Sequence, residues 1–129
     1  MITLYYGISS VSSRRAVAWF ESRNIDFCKK RVDRMSRDDL VHLLSLSENG
    51  FADILKNPKK ARENYLEQLQ YLEGLNFNRS VDFLIEHPYL LKVPLICERK
   101  KLMIGYNEEN IRMFLPKKHR DLKLSLDQL

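Results

Sequence analysis

The sequence predicts an α/β domain, a four-stranded mixed sheet with an all-helical insertion between its halves. Three observations predict it. An alternating apolar run at the N terminus breaks at glycine and serines and enters an amphipathic helix. A second short apolar run follows that helix within about thirty residues, the span of a βαβ unit. After a long stretch of helical periodicity, two more short runs return on either side of a basic turn.

The first run is Met1-Ile2-Thr3-Leu4-Tyr5-Tyr6, in which Ile2, Leu4 and Tyr6 alternate with Thr3 and Tyr5, so that one face can be buried. Gly7 ends it, and Ser9, Ser10, Ser12 and Ser13 precede a helix whose apolar face is Ala16, Val17, Trp19 and Phe20, running to about Ser22 or Arg23. Serine hydroxyls at this point accept hydrogen bonds from the unpaired amides of the helix start, and those amides also stabilise an anion or a thiolate. The loop is thus a favoured place for chemistry but lacks a nucleophile. In thioredoxin-like chains it carries Cys-x-x-Cys; here the spacing is Ser10-Val11-Ser12-Ser13, and the ordinary role of these serines is capping.

Asn24 breaks the chain, and Ile25 to Val32 offers a second strand, parallel to the first across a right-handed crossover. Ser36 with Asp39 resembles a capping box, and Leu40, Leu43 and Leu44 recur at helical spacing up to Ser47-Glu48-Asn49-Gly50, where Gly50 suits a left-handed C-terminal cap. Phe51, Ile54 and Leu55 make a short apolar turn. Asn57-Pro58 opens another helix with Ala61, Tyr65, Leu69 and Leu72 on one face; Lys59, Lys60, Arg62 and Glu63 lie on the other, and Gly74 ends it. A further helix runs from about Ser80 to His87-Pro88, with Val81, Leu84 and Ile85 inward. Leu95 to Glu98 and Leu102 to Gly105 read as an antiparallel pair turning at Arg99-Lys100-Lys101. Finally, Asn107 caps a helix with Ile111, Phe114 and Leu115 inward, ended by Pro116.

This order, β-α-β, helices, then β-β-α, is that of a thioredoxin-like four-stranded mixed sheet. The helical insertion spans about residues 36–90 of a single domain, 1–129, and the tail 121–129 is expected to be flexible. In such a fold the residue before the third strand is often a cis proline set against the first loop, which makes Pro94 the candidate.

Composition narrows the function classes. The chain has 44% hydrophobic and 30% charged residues, with no run long enough to span a membrane and no export signal, which places it in the cytoplasm. Cys28 and Cys97 lie far apart in strand-like stretches, read as small buried hydrophobes, and share no metal-ligand spacing with His42, His87 or His119. No metal or organic cofactor is implied. The net charge of +5 and pI near 9.3 fit an anionic partner, nucleic acid first, but the charge is spread and no nucleic-acid-binding module is evident.

The first strand, loop and helix, the segment Leu46-Ser47-Glu48-Asn49-Gly50, the stretch from Glu86 to Ile96, and above all Gly105-Tyr106-Asn107-Glu108-Glu109-Asn110-Ile111-Arg112-Met113-Phe114-Leu115-Pro116 resemble the arsenate reductase/Spx family, its Spx branch most closely. The resemblance extends to about Arg120. Its enzyme branch implies reduction of an oxyanion by a loop thiolate with surrounding arginines. Its Spx branch implies a bacterial stress-response transcription regulator that binds the C-terminal domain of the RNA polymerase alpha subunit, often with a Cys-x-x-Cys redox switch.

Both chemistries lose their residues here. Ser10 stands at the cysteine position, Ser13 at the second switch position and Val93 at that of the oxyanion-binding arginine. The resemblance therefore implies a regulator without redox sensing at this loop, rather than an enzyme. The alternative is a divergent thiol oxidoreductase or arsenate-reductase-like enzyme that would use Cys28 or Cys97. By resemblance the polymerase contact is Gly50 with Ser45, Glu48 and Asn49, Ser45 standing where relatives have a basic residue. Lys60, with Lys59 and Arg62, matches a basic position facing promoter DNA, a weak or indirect partner, and the family's proteolytic turnover implies a proteolytic adaptor as another.

Overall fold

The computed structural model describes residues 1–57 and 63–116. Strands β1 (Ile2–Tyr6), β2 (Phe27–Arg31), β3 (Leu95–Glu98) and β4 (Lys101–Ile104) form one sheet in the order β2-β1-β3-β4. β1 and β2 are parallel, with Ile2 opposite Phe27, and β3 is antiparallel to both β1 and β4. This is the mixed sheet that the order of sequence signals predicts. Helix α1, Val11–Ser22, makes the crossover between the parallel strands, as one connecting segment must when two neighbours run the same way.

The insertion holds four helices among the described residues: α2 (Arg37–Leu46), α3 (Phe51–Ile54), α4 (Glu63–Glu73) and α5 (Phe77–Glu86). α2 starts with the full capping box, the Ser36 hydroxyl accepting from the Asp39 amide at 3.1 Å and the Asp39 carboxylate accepting from the Ser36 amide at 3.2 Å. Arg37, in the first turn of α2, reaches across to α5. Its guanidinium donates to Asp82 at 3.0 Å and to the Asn78 side chain at 2.9 Å, an exposed tie worth little energy but fixing how the two helices meet.

Four sequence readings need adjustment. α5 begins at Phe77 and not near Ser80, because the Asn76 side chain caps it by accepting from the Arg79 amide, while Ser80 is buried inside the helix. The second strand is shorter than Ile25–Val32, since Val32–Arg34 turns into a 3₁₀ helix. The last helix is a 3₁₀ segment, Asn110–Phe114. Asn107 still caps its approach, accepting from the Glu109 and Asn110 amides at 2.9 Å each, and Ile111, Phe114 and Leu115 are buried as expected. β1, finally, is covered on both faces, for Tyr5 is as buried as Ile2.

That double burial divides the core. On one side of the sheet Ile2, Leu4, Ile96 and Met103 pack with Ala16, Trp19 and Phe20 of α1 and with Ile111, Phe114 and Leu115. Phe20, fully buried, centres this side, its ring 5.2 Å from those of Trp19 and Phe27 and 5.9 Å from Phe114. On the other side Tyr5, Leu95 and Cys97 meet the insertion through Leu40, Leu43, Ile54, Tyr65, Val81 and Leu84.

Candidate functional site

The loop between β1 and α1 is closed by its own serines. The Ser10 hydroxyl accepts from the Ser13 amide at 3.0 Å, and the buried Ser13 hydroxyl accepts from the Gly7 amide at 3.1 Å. Ser10 thus has the capping role expected of it, whereas Ser13, inside α1, ties the helix back to Gly7 of the loop. Val93 stands against this loop: a methyl group added at Gly7 would come within 3.0 Å of Val93 Cγ2 and 3.4 Å of Ser10 Cβ. A side chain at Gly7 would make Val93 give way by a few tenths of an ångström. The Val93–Pro94 peptide is cis, and the Pro94 carbonyl accepts from the Gly105 amide at 2.8 Å. Ser10, Ser13, Val93 and Pro94, separated by eighty residues of chain, are therefore one locus. Its residues supply hydroxyls already engaged and an isopropyl group, with neither thiolate nor guanidinium, and Ile8 and Val11 of the same loop face solvent. Beside the loop lies a cleft of about 230 Å³ lined by Tyr6, Val17, Arg14, Glu21 and Lys29.

The two cysteines are not a redox pair. Cys28 and Cys97 both sit opposite Thr3, on the strands either side of β1, so they are two strand spacings apart. That is roughly 10 Å, beyond the reach of a disulfide. Cys97 is buried, and burial pushes its thiol pKa up; Cys28 is half-buried. Among the described residues no group of three or more His, Cys, Asp and Glu is arranged to hold a metal ion, and no helix is long and apolar enough to cross a membrane.

The second locus is the corner between α2 and α3. α2 stops at Leu46 because Ser47 is extended and its hydroxyl donates to the Leu44 carbonyl at 2.7 Å. Ser45, one residue from the end, donates to the His42 carbonyl at 2.5 Å and is exposed, as are Glu48 and Asn49. Gly50 has φ 66° and ψ −131°, a conformation that favours glycine, as its sequence position suggested. Its place differs from the expectation, however: it opens α3 instead of closing α2, whose C-terminal cap is Ser47. Nothing lies within 4 Å of where a Gly50 side chain would start, so the backbone here is open to an approaching surface.

Asp53 holds this corner and was not singled out from sequence. Its carboxylate accepts from the Asn49 amide at 2.9 Å and from the Asn49 side chain at 3.2 Å, and these bonds, the amide's foremost, hold its pKa below the ordinary value. The available signal was the Asn49–Asp53 spacing around a glycine. Lys59, Lys60, Arg62 and the tail 121–129 lie outside the described residues.

Comparison with known proteins identifies this arrangement. The ArsC family profile matches residues 5–114. The chain is 35% identical to global transcriptional regulator Spx 2 of Bacillus anthracis, over all of this chain and 98% of that one. It is 36% identical to global transcriptional regulator Spx 1 of Lactococcus lactis, over 93% of each. Among solved structures, a Staphylococcus aureus protein studied by solution NMR superposes with a TM-score of 0.71 at 14% identity, covering 88% of this chain and 97% of that one. The arsenate reductase from Vibrio cholerae superposes at 0.64 and 18%, covering 87% and 92%, so the fold is shared with it while the chemistry is not thereby carried over. The chain thus belongs to the ArsC family, as a member of its Spx type.

Proposed function

We propose that this protein regulates transcription by docking on the C-terminal domain of the RNA polymerase alpha subunit through the α2–α3 corner, with Ser45, Glu48, Asn49 and Gly50 at the contact, and that it does so without sensing oxidants at its first loop. The observation that carries the docking assignment is Gly50, a half-buried glycine at positive φ with open space beyond its Cα. A partner can approach that backbone closely, and a side chain there would stand in its way. Asp53 supports the reading by fixing the corner before a partner arrives, which lowers the ordering cost of association. The similarity to proteins named as global transcriptional regulators supports the same class of function.

The redox-blind half of the proposal rests on the first loop. Ser10 and Ser13 cannot form a disulfide, and Val93, which packs against Gly7, stands where the family resemblance implies an oxyanion-binding arginine. The same residues argue against an arsenate-reducing enzyme, and the buried Cys97 offers no accessible substitute thiolate. Lys59, Lys60 and Arg62 are proposed to neutralise promoter phosphates once the polymerase contact is made, without reading bases.

The test is titration of the purified protein with the isolated alpha C-terminal domain, with and without oxidant, followed by heat or backbone-amide shifts. Saturable binding that ignores oxidant is the expected result. Absence of binding at high concentrations of both proteins would overturn the docking assignment, and binding that changes with oxidant would overturn the redox-blind one.

A further inference from the structure

Across α4 and α5, on the insertion's outer surface, four rings form a continuous strip. Tyr71 lies 5.1 Å from Phe83, Phe83 stacks on His87 at 4.1 Å, and His87 meets Tyr89 at 5.9 Å. The end rings are well exposed, Tyr71 by 57% and Tyr89 by 52%. Each is nonetheless held in place, Tyr71 by its contact with Phe83 and Tyr89 by a hydrogen bond between its hydroxyl and the Gln68 side chain. Exposed rings that already have fixed contacts lose less entropy when a partner binds. None of these residues takes part in the α2–α3 corner. Phe77, whose ring packs on Phe51 of that corner, stands six residues before Phe83 on α5, so the strip begins about 9 Å away along that helix.

The segment that carries the strip is acidic, opposite to the protein as a whole. Residues 64–90 hold four carboxylates, Glu67, Glu73, Asp82 and Glu86, against one base, Arg79, in a chain whose net charge is +5. Asp82 is engaged by Arg37. Glu67 is exposed one helical turn before Tyr71, and Glu86 is exposed one helical turn after Phe83, so each carboxylate lies a turn from a ring of the strip. Ring faces carry negative quadrupole charge and attract cations, and carboxylates add to that attraction.

We infer that the α4–α5 strip is a second docking surface, for a lysine- and arginine-rich segment of a partner protein, whose cationic groups lie over Tyr71 and Tyr89 and pair with Glu67 and Glu86. Nucleic acid is disfavoured at this face by the same carboxylates. Because the strip is separate from the α2–α3 corner, both surfaces can be occupied together, and the inference stands whether or not the polymerase assignment does.

The experiment is an amide-shift titration of the full chain with a hexa-arginine peptide, beside a hexa-glutamate peptide and a short single-stranded DNA. The expected result is saturable shifts confined to the strip with the basic peptide alone, weakened roughly tenfold by Tyr71→Ala combined with Tyr89→Ala, the loss of two ring–cation contacts. Glu67→Gln with Glu86→Gln, a surface change that spares the packing, should weaken binding and flatten its salt dependence. Shifts at the strip with hexa-glutamate or DNA, shifts elsewhere with hexa-arginine, or an unchanged affinity in the glutamine variant would overturn the assignment. So would strip shifts that grow with protein concentration alone, which would mean that a second copy covers the face.

Discussion

Replacing Gly50 separates two effects that a single variant would confuse. At φ 66° and ψ −131° any L side chain strains the backbone, a cost of about 1–3 kcal/mol for a residue held outside its allowed regions. No neighbour lies within 4 Å of the added Cβ, so no steric cost is added and the penalty should not depend on side-chain size. Gly50→Ala and Gly50→Arg are therefore expected to lose the same stability, a fall in Tm of roughly 4–12 °C for a chain of this length. They should differ in docking. The arginine side chain projects into the space that the partner would occupy and is expected to abolish binding to the alpha C-terminal domain, whereas alanine should weaken it far less. Thermal melts followed by calorimetric titration of both variants make the comparison. Wild-type affinity in Gly50→Arg would refute the interface, and equal loss in both variants would place the effect in the backbone and refute steric occlusion.

Three other outcomes follow from contacts already described. Ser10→Ala removes the acceptor for the Ser13 amide and should cost about 1 kcal/mol, read from denaturant melts; an unchanged midpoint would mean that water replaces the cap. Cys28 should be alkylated before Cys97 in the native protein at about pH 7.5, since burial leaves Cys97 with little thiolate, and mass mapping of a labelling time course would show the reverse order if that is wrong. The Asp53 carboxyl has a folded pKa depressed below its ordinary 3.8, so its bonds to Asn49 are fully present above that pH and are lost as pH falls through the lower folded value. The Asn49 amide shift should titrate with a midpoint below 3.8, and a midpoint above it would refute the pairing.

Local signals carried much of the fold. The Ser36–Asp39 capping box, the serine cap of α1, the parallel β1–β2 pair and the antiparallel β3–β4 pair follow from residues close in sequence, where propensity and tertiary structure agree. The misreadings arose where they compete. Ser80 has the chemistry of a cap but is buried, and the capping side chain is Asn76, which is followed by an exposed Phe77 that blurs the helical pattern. Gly50 was legible as a left-handed position but not as the start of α3, because only Ser47 turning extended decides which helix it adjoins. The approach of Val93 to Gly7, and the strip from Tyr71 to Tyr89, join residues distant in sequence. No spacing rule encodes such meetings; they exist only once the sheet and helices have assembled.

The burial of β1 on both faces bears on how such a protein can change over time. Its two packed layers draw on different side chains, with Phe20 at the centre of one and Leu40, Leu43 and Ile54 in the other. Substitutions on opposite sides, having no shared neighbours, should add in their effects on stability instead of compounding. The β1–α1 loop adjoins one layer and the α2–α3 corner the other. A substitution in the loop is therefore expected to leave the packing beneath the corner unchanged, and a substitution beneath the corner to leave the loop unchanged.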